Sequence, residues 1–384
     1  MKALIIGGGI GGLTTAIALK QRGISFEVYE AAEEIKAVGA GIWLGANAMN
    51  MFEKLGVAEK IKASSVCLKK AYIKDYKGNI LQTIDNEALL DKYGHTSQAI
   101  HRSTLQKILA EEMGNAIQLN KRCVSVEQNK DGVKVCFADG TTAAGDLLVG
   151  ADGIRSVIRE QYVTNAFYRY SGQTCWRATV NMQLPENEIN EAAEVWGYSS
   201  GLRASYSQVG ENQVYFWYTK AMPEGNQLSN GDALALIKKD LKHFYGNMNV
   251  VVDNIDPAML IKSDLYDFRP IDKWFNGRIV LIGDAAHATT PNLGQGASQA
   301  IEDAWVLAGC LKVNQTITGA FEQYQHLRMK RAKKIVKTSY QIARATNFKS
   351  GFARALRNFL IKNTPASITQ KQFEMLYNVN YEIG

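Results

Sequence analysis

The chain opens Lys2-Ala3-Leu4-Ile5-Ile6-Gly7-Gly8-Gly9-Ile10-Gly11-Gly12, and the fold follows from how this stretch is read. Residues 2–6 form a short apolar run of the kind a strand buried on both faces requires. Residues 13–22 have helical spacing and stop at Gly23, a residue suited to a helix end. Ser25-Phe26-Glu27-Val28-Tyr29-Glu30 reads as a second strand and completes a βαβ unit. Between strand and helix, Gly7, Gly9 and Gly12 have the spacing GxGxxG. The first permits a tight turn, the second lets a diphosphate approach the backbone, and the third lets helix and strand pack closely. Ile10 and Gly11 stand at the helix start, where free backbone N–H groups face an anion. Glu30 ends the second strand, where a carboxylate accepts from both ribose hydroxyls and disfavours a 2′-phosphate. GxGxxG alone is a weak signal, for which a glycine-rich loop is the simpler reading. Here strand, helix, second strand and acid coincide, so a dinucleotide site is expected, with FAD and NAD both open.

Composition narrows the class. The chain has 384 residues, 46% hydrophobic and 21% charged, with a formal net charge of +7. That is globular composition, long enough to bury a large core without disulfides or metal. Five cysteines form no CxxC pair and five histidines form no HExxH, so neither a disulfide framework nor a metal centre is expected. Residues 4–19 are mostly apolar but contain five glycines and lack a basic leader with a small-residue cleavage site. No segment reaches the length of a membrane span. A soluble protein of a reducing cytoplasm is expected.

Along the chain, residues 46–62 read as an amphipathic helix and 72–83 as a hairpin turning at Lys77-Gly78-Asn79. A helix follows over 103–113, then a strand meander over 117–149. Strands dominate residues 174–218, with further helices at 231–246, 296–311 and 317–362 and a buried strand at 278–282. The order α/β, β, α/β, helices predicts a β-rich insertion inside a Rossmann-like domain. There is no internal repeat or long linker.

Two further motifs repeat the pattern of a buried strand running into a polar turn. Asp146-Leu147-Leu148-Val149-Gly150-Ala151-Asp152-Gly153-Ile154-Arg155-Ser156 is one, although Ala-Asp-Gly by itself is a common turn. Arg278-Ile279-Val280-Leu281-Ile282-Gly283-Asp284-Ala285-Ala286-His287 is the other. It continues through Pro291-Asn292-Leu293-Gly294-Gln295-Gly296 into a helix carrying Glu302 and Asp303. Asp284 ends a strand, where its carboxylate can accept from a sugar hydroxyl. Loop 291–296 offers free N–H groups and a helix dipole to an electron-rich ring edge.

In this order and spacing the three motifs resemble those of class A flavoprotein monooxygenases of the para-hydroxybenzoate hydroxylase type. The resemblance covers about residues 2–330. It implies an α/β FAD-binding domain from residues 1–72, 98–165 and 271–322. A β-sheet-rich substrate domain would come from 73–97 and 166–270, and a C-terminal basic helical segment from 323–384. By the same resemblance Gly7, Gly9, Gly12 and Glu30 hold the ADP half of FAD. Asp152 and Arg155 belong to a motif tied to both FAD and NAD(P)H. Gly283, Asp284, Pro291, Gly294, Gln295 and Gly296 hold the ribityl chain and ring, and Arg102, with Gln106 one turn on, lies near the diphosphate. The implied cycle passes hydride from NADH or NADPH to FAD, forms a flavin C4a-hydroperoxide with O2, and transfers one oxygen atom to an aromatic or heteroaromatic substrate. An epoxidase, an antibiotic- or isoprenoid-modifying monooxygenase and a flavin-binding redox module without turnover are the alternatives.

Tyr170-Ser171-Gly172 with Trp176-Arg177 is similar to the start of the substrate sheet in the salicylate hydroxylase, urate hydroxylase and zeaxanthin epoxidase branches, with Ala178 where glycine is usual. Arg203 and Tyr215 sit at positions similar to an arginine–tyrosine pair of the urate hydroxylase branch, which implies that the arginine holds an anionic substrate and the tyrosine orients a carbonyl or phenolate. Trp196, Tyr198, Tyr206, Tyr215 and Trp217 are expected on inward sheet faces, mostly as packing. Trp43, Leu44 and Asn47 follow Gly39-Ala40-Gly41 on a segment expected to border the flavin. His287 invites a general-base role, but the resemblance gives it a structural place, and no other residue stands out as a base.

The positive charge is local. Residues 323–373 contain twelve Lys or Arg and no Asp or Glu, so the rest of the chain is mildly acidic. No nucleic-acid partner is expected. A solvated helical face, partly packed on the FAD domain, is the reading adopted for this segment, with membrane contact as the alternative. A monomer or homodimer is expected.

Overall fold

The structure is a computed structural model describing residues 1–35 and 40–383. Gly39 lies outside the described residues. The glycine-rich opening folds as its spacing predicts: strand Lys2–Ile6, helix Ile10–Gln21 and strand Ser25–Tyr29. Lys2–Ile6 is central in a six-stranded sheet, paired in parallel with Ser25–Tyr29 on one side and Leu147–Gly150 on the other. Leu147–Gly150 pairs in turn with Ile279–Leu281, again in parallel. All three motifs therefore leave neighbouring strands of one sheet at the same end, where ligands of open α/β sheets bind.

A seven-stranded sheet borders the same cavity as the motif turns. Its antiparallel centre is Tyr168–Asn181, Gln213–Ala221 and Arg203–Gly210. Its edge is the hairpin Lys70–Asp75 and Ile80–Asp85, joined to Glu191–Trp196 in parallel. Side chains alternate across it. Trp176, Phe216 and Tyr218 pack on helices Asn230–Leu241 and Met248–Asp253, through Leu234, Ile237 and Val251 among others. The opposite parity, with Arg177, Arg203, Tyr215 and Trp217, faces a cavity.

Several boundaries differ from expectation. The expected division at residues 72 and 73 falls inside Lys70–Asp75, because pairing to Glu191–Trp196 begins at Lys70. The division at 97 and 98 falls inside Ser97–His101, which pairs with Gly41–Leu44 and Val66–Leu68. Helix 46–62 is two helices, Ala46–Lys54 and Ala58–Ala63, with Gly56 at φ +73° between them. Helix 317–362 is likewise Ile317–Thr346 and Gly351–Lys362, and a third helix, Ala366–Tyr377, follows.

The C-terminal segment packs on the FAD domain more extensively than a partly packed, solvated face would. Arg328 is fully buried and bonded to Glu302 and Asp303 of the third-motif helix Gly296–Val313. Arg331 donates to Glu302 at 2.8 and 3.0 Å. Helices Gly351–Lys362 and Ala366–Tyr377 wall the cavity. Part of the basic excess thus neutralises buried acids of the motif helix.

Candidate active site

The motifs and the sheet enclose a cavity of about 1190 Å³. Gly9, Ile10 and Gly11 of the first motif, Ala151 and Gly153 of the second, and Gly283, Asp284, Pro291, Gly294, Gln295 and Gly296 of the third line one side. Gly7 takes φ +112°. Its N–H donates to Tyr29 O at 2.8 Å, which fixes the turn on the sheet. Glu30 accepts from the Gly8 N–H at 2.6 Å and from the Ala32 N–H at 2.9 Å, so it orders the turn from the second strand. Gln106 donates to Gly8 O at 3.4 Å from helix Arg102–Glu111.

Arg102 and Asp284 face the cavity. Burial draws the Arg102 guanidinium down from its ordinary pKa, and Asp284 pulls it back up. Burial pushes Asp284 up, and His287 and Arg102 oppose it. Neither side chain makes a hydrogen bond among the described residues, so both are available to a ligand. Gly294 turns at φ +61° into helix Gly296–Val313, whose first N–H groups have no intrahelical acceptor and point their dipole at the cavity.

The second motif is placed differently. Asp152 accepts from Ser156 Oγ at 2.5 Å and from the Ile158 N–H at 3.2 Å, so its carboxylate caps its own turn. Arg155 is exposed over the rings of Tyr168 and Tyr266, 5.9 and 5.8 Å from their centroids, and is not among the cavity-lining residues. Arg159, which follows the motif in Val157-Ile158-Arg159, is fully buried and donates to Ala285 O at 3.1 Å and Ile154 O at 2.8 Å. It bolts the second motif to the third. A lone arginine after Val157-Ile158 was the available signal.

The third motif is held from behind. Asp303 accepts from the Gly283 N–H at 2.9 Å, from His287 Nε2 at 2.6 Å and from Arg328 Nε at 2.7 Å. His287 is thus a buried partner of Asp303, 5.1 Å from the Trp274 ring, and does not face the cavity. Asn47 Nδ2 donates to Gln295 Oε1 at 3.0 Å and to Glu302 Oε1 at 2.7 Å, which ties the expected flavin-bordering segment to the third motif. Trp43 reaches the sheet, donating to Ser207 Oγ at 3.0 Å.

Across the cavity stand the predicted substrate residues. Tyr215 faces it with its ring against Gly41, and burial pushes its phenol well above the ordinary range. Its hydroxyl has no hydrogen-bond partner among the described residues. Arg203 also faces the cavity but is 3% exposed, donating to Glu194 at 2.8 Å and Gln173 at 3.0 Å. Trp196 and Trp217 line the cavity as expected. Tyr198 and Tyr206 do not, and hydrogen-bond to Asp240 O at 3.1 Å and Glu188 at 2.8 Å instead. Arg177 of strand Tyr168–Asn181, and Leu356, Leu360 and Phe373 of the C-terminal helices, also line the wall.

The site fits FAD. Among the described residues Gly9 has nothing within 4 Å of where a Cβ would stand and Asp284 presents an unpartnered carboxylate, and a helix N-terminus borders the same cavity. The FAD binding domain family matches residues 1–339. The chain belongs to this family. It is 35% identical over 363 residues to the aurachin C monooxygenase/isomerase of Stigmatella aurantiaca, with 94% of each chain covered. It is 34% identical to the 3-hydroxybenzoate 6-hydroxylase of Polaromonas naphthalenivorans, over 99% of this chain and 96% of that one. The crystal structure of Klebsiella pneumoniae HpxO with FAD and uric acid superposes with a TM-score of 0.88 at 28% identity, covering 97% of this chain and 95% of that one. The expected fold and class hold: the chain is an FAD-dependent class A monooxygenase.

Asp284→Ala is expected to weaken FAD binding by at least about tenfold, the value of one hydrogen bond to a charged group. Arg203→Ala, across the cavity and paired to Glu194, should leave FAD affinity nearly unchanged. Flavin-fluorescence titration of the apo-forms checks the order, and the reverse order would mean that the two sites are misplaced.

Proposed function

We propose that the enzyme inserts one oxygen atom of O2 into an aromatic or heteroaromatic ring bearing an apolar substituent. Arg203 already has its charge taken by Glu194 at 2.8 Å, in a cavity walled by Trp43, Trp217, Leu356 and Leu360. A paired arginine has little charge to give an anionic substrate, and apolar walls favour an apolar one.

In this reading the three motif segments hold FAD, and the seven-stranded sheet with its edge hairpin Lys70–Asp75 and Ile80–Asp85 holds the substrate. Gly7, Gly9, Ile10, Gly11, Gly12 and Glu30 would take the ADP half, Arg102 the diphosphate, and Asp284 the ribityl chain. FAD held there would supply hydride acceptance from NADH or NADPH and activation of O2. The helix start at Gly296 favours negative charge on the ring edge beside it. Tyr215 stays protonated, so it donates a hydrogen bond and orients a ring carbonyl or hydroxyl. Trp43, Trp217 and the C-terminal helices keep water from the reacting atoms. The five cysteines are free, which fits a reducing cytoplasm.

The test is NADH and NADPH oxidation by the purified yellow protein against an alkylated quinolone, 3-hydroxybenzoate and urate, with products weighed for one added oxygen. Fastest coupled turnover with the quinolone is expected. Best turnover with urate or 3-hydroxybenzoate would overturn the substrate reading and leave the hydroxylase intact. Flavin uptake without stimulation by any ring would favour the redox module.

A further inference from the structure

Helix Gly351–Lys362 carries a stripe of apolar side chains facing solvent. Phe352 is 78% exposed, Phe359 62% and Leu360 59%, and their spacing, with Leu356, puts them on one helical face. The helix is anchored on its other side. Arg357, its one buried residue, lies 4.4 Å from the centroid of the Trp196 ring and donates to Ala345 O at 3.2 Å. Leu356 and Leu360 also line the cavity, so the exposed stripe is continuous with the cavity wall. Lys349 and Lys362 flank it, exposed, with Arg354 half-buried between them.

We propose that this surface docks on an anionic lipid bilayer, with the helix lying in the interface plane and the cavity wall beside it. An exposed apolar stripe rimmed by basic residues is the chemistry of an interfacial helix. The absence of any Asp or Glu over residues 323–373 makes the surface complementary to anionic headgroups. A second copy of the chain is a poorer occupant. A two-fold contact would set the same lysines and arginine against one another with no carboxylate of this segment to offset them. Among the described residues no helix is long and apolar enough to cross a membrane, so the attachment is peripheral. The proposal rests on the surface alone and is independent of which ring the cavity takes.

Co-sedimentation of the FAD-loaded full chain with vesicles tests it. Binding to phosphatidylglycerol-containing vesicles should exceed binding to pure phosphatidylcholine by at least about tenfold and weaken with added salt. Phe352→Ser/Phe359→Ser should abolish it while FAD content and NAD(P)H oxidation stay at wild-type levels, since neither side chain lines the cavity. Absent vesicle binding, or equal binding by the double variant, overturns the proposal. A wild-type dimer in size-exclusion chromatography that the double variant converts to monomer would assign the stripe to a second copy and equally overturn it.

Discussion

Arg328→Met is expected to lower folding stability by about 3–5 kcal/mol at neutral pH, because it leaves buried carboxylates without their cation. Arg328 bonds Asp303 through Nε at 2.7 Å, Gln299 through Nη2 at 2.8 Å, and Glu302 through Nη1. Burial pushes the Asp303 carboxyl up, but His287 and Arg328 outweigh it and hold the pKa at about 2. Glu302 is likewise held low against its burial by Arg328 and Arg331. Urea unfolding monitored by tryptophan fluorescence should show the loss. The triple variant Glu302→Gln/Asp303→Asn/Arg328→Met removes the charges together and should recover part of it. A single variant as stable as wild type would mean that the network is not what holds these elements. The pH dependence has a definite sign. A carboxyl depressed in the folded state contributes fully above its unfolded value, about 4, and loses that contribution as pH falls toward about 2. Wild-type stability should fall across that window, and Asp303→Asn should flatten the fall. Asp303 also accepts from the Gly283 N–H, so Arg328→Met should loosen the loop carrying Asp284 and reduce FAD retention.

This network illustrates what was legible in the sequence. The glycine turn is local chemistry: strand, turn, helix and Glu30 lie within about thirty residues and could be read together. The third motif announced Asp284 and the helix after Gly296 for the same reason. Glu302 and Asp303 were visible as acids on that helix, but Arg328 sits among eleven other basic residues of 323–373, and nothing local distinguishes the buried one. Strand parity did carry information. In Arg203–Gly210 the odd residues Arg203, Ser205 and Ser207 share a face, so Tyr206 had to lie opposite. Trp196 and Tyr198 defeat the same rule because the strand ends at Trp196. The parallel pairing of Lys70–Asp75 with Glu191–Trp196 joins segments more than a hundred residues apart and has no local signature. Amphipathic spacing in 351–362 predicts a helix, but which part of its apolar face packs and which stays exposed is set by partners distant in sequence. The composition of this segment therefore suggests a solvated, partly packed face and does not show a cavity wall.

Gly9→Ala and Gly12→Ala should separate folding from cofactor binding at the first motif. A Cβ on Gly12 would overlap the Gly7 carbonyl oxygen, which is backbone and cannot turn aside. Gly7 itself is fixed by its φ of +112° and by its bond to Tyr29 O. Helix Ile10–Gln21 must therefore move off the strand, an overpacking cost of about 1–3 kcal/mol or more, and the N–H groups aimed at the diphosphate move with it. Gly12→Ala is expected to destabilise the apo-protein and to weaken FAD by about a hundredfold, which corresponds to about 2.7 kcal/mol. Gly9 is the opposite case. It sits at φ −75° and ψ −179°, a conformation alanine adopts without strain, and no atom of the described residues lies within 4 Å of the Cβ position. Gly9→Ala should leave the apo-protein as stable as wild type, or up to about 1 kcal/mol more stable through the unfolded chain. Only a ligand lying against the Gly9 backbone meets the new methyl group, so its FAD affinity should still fall at least about tenfold. Thermal unfolding of the two apo-forms and flavin titration of each give four values. If Gly9→Ala bound FAD as tightly as wild type, the diphosphate would have to lie elsewhere than on this turn.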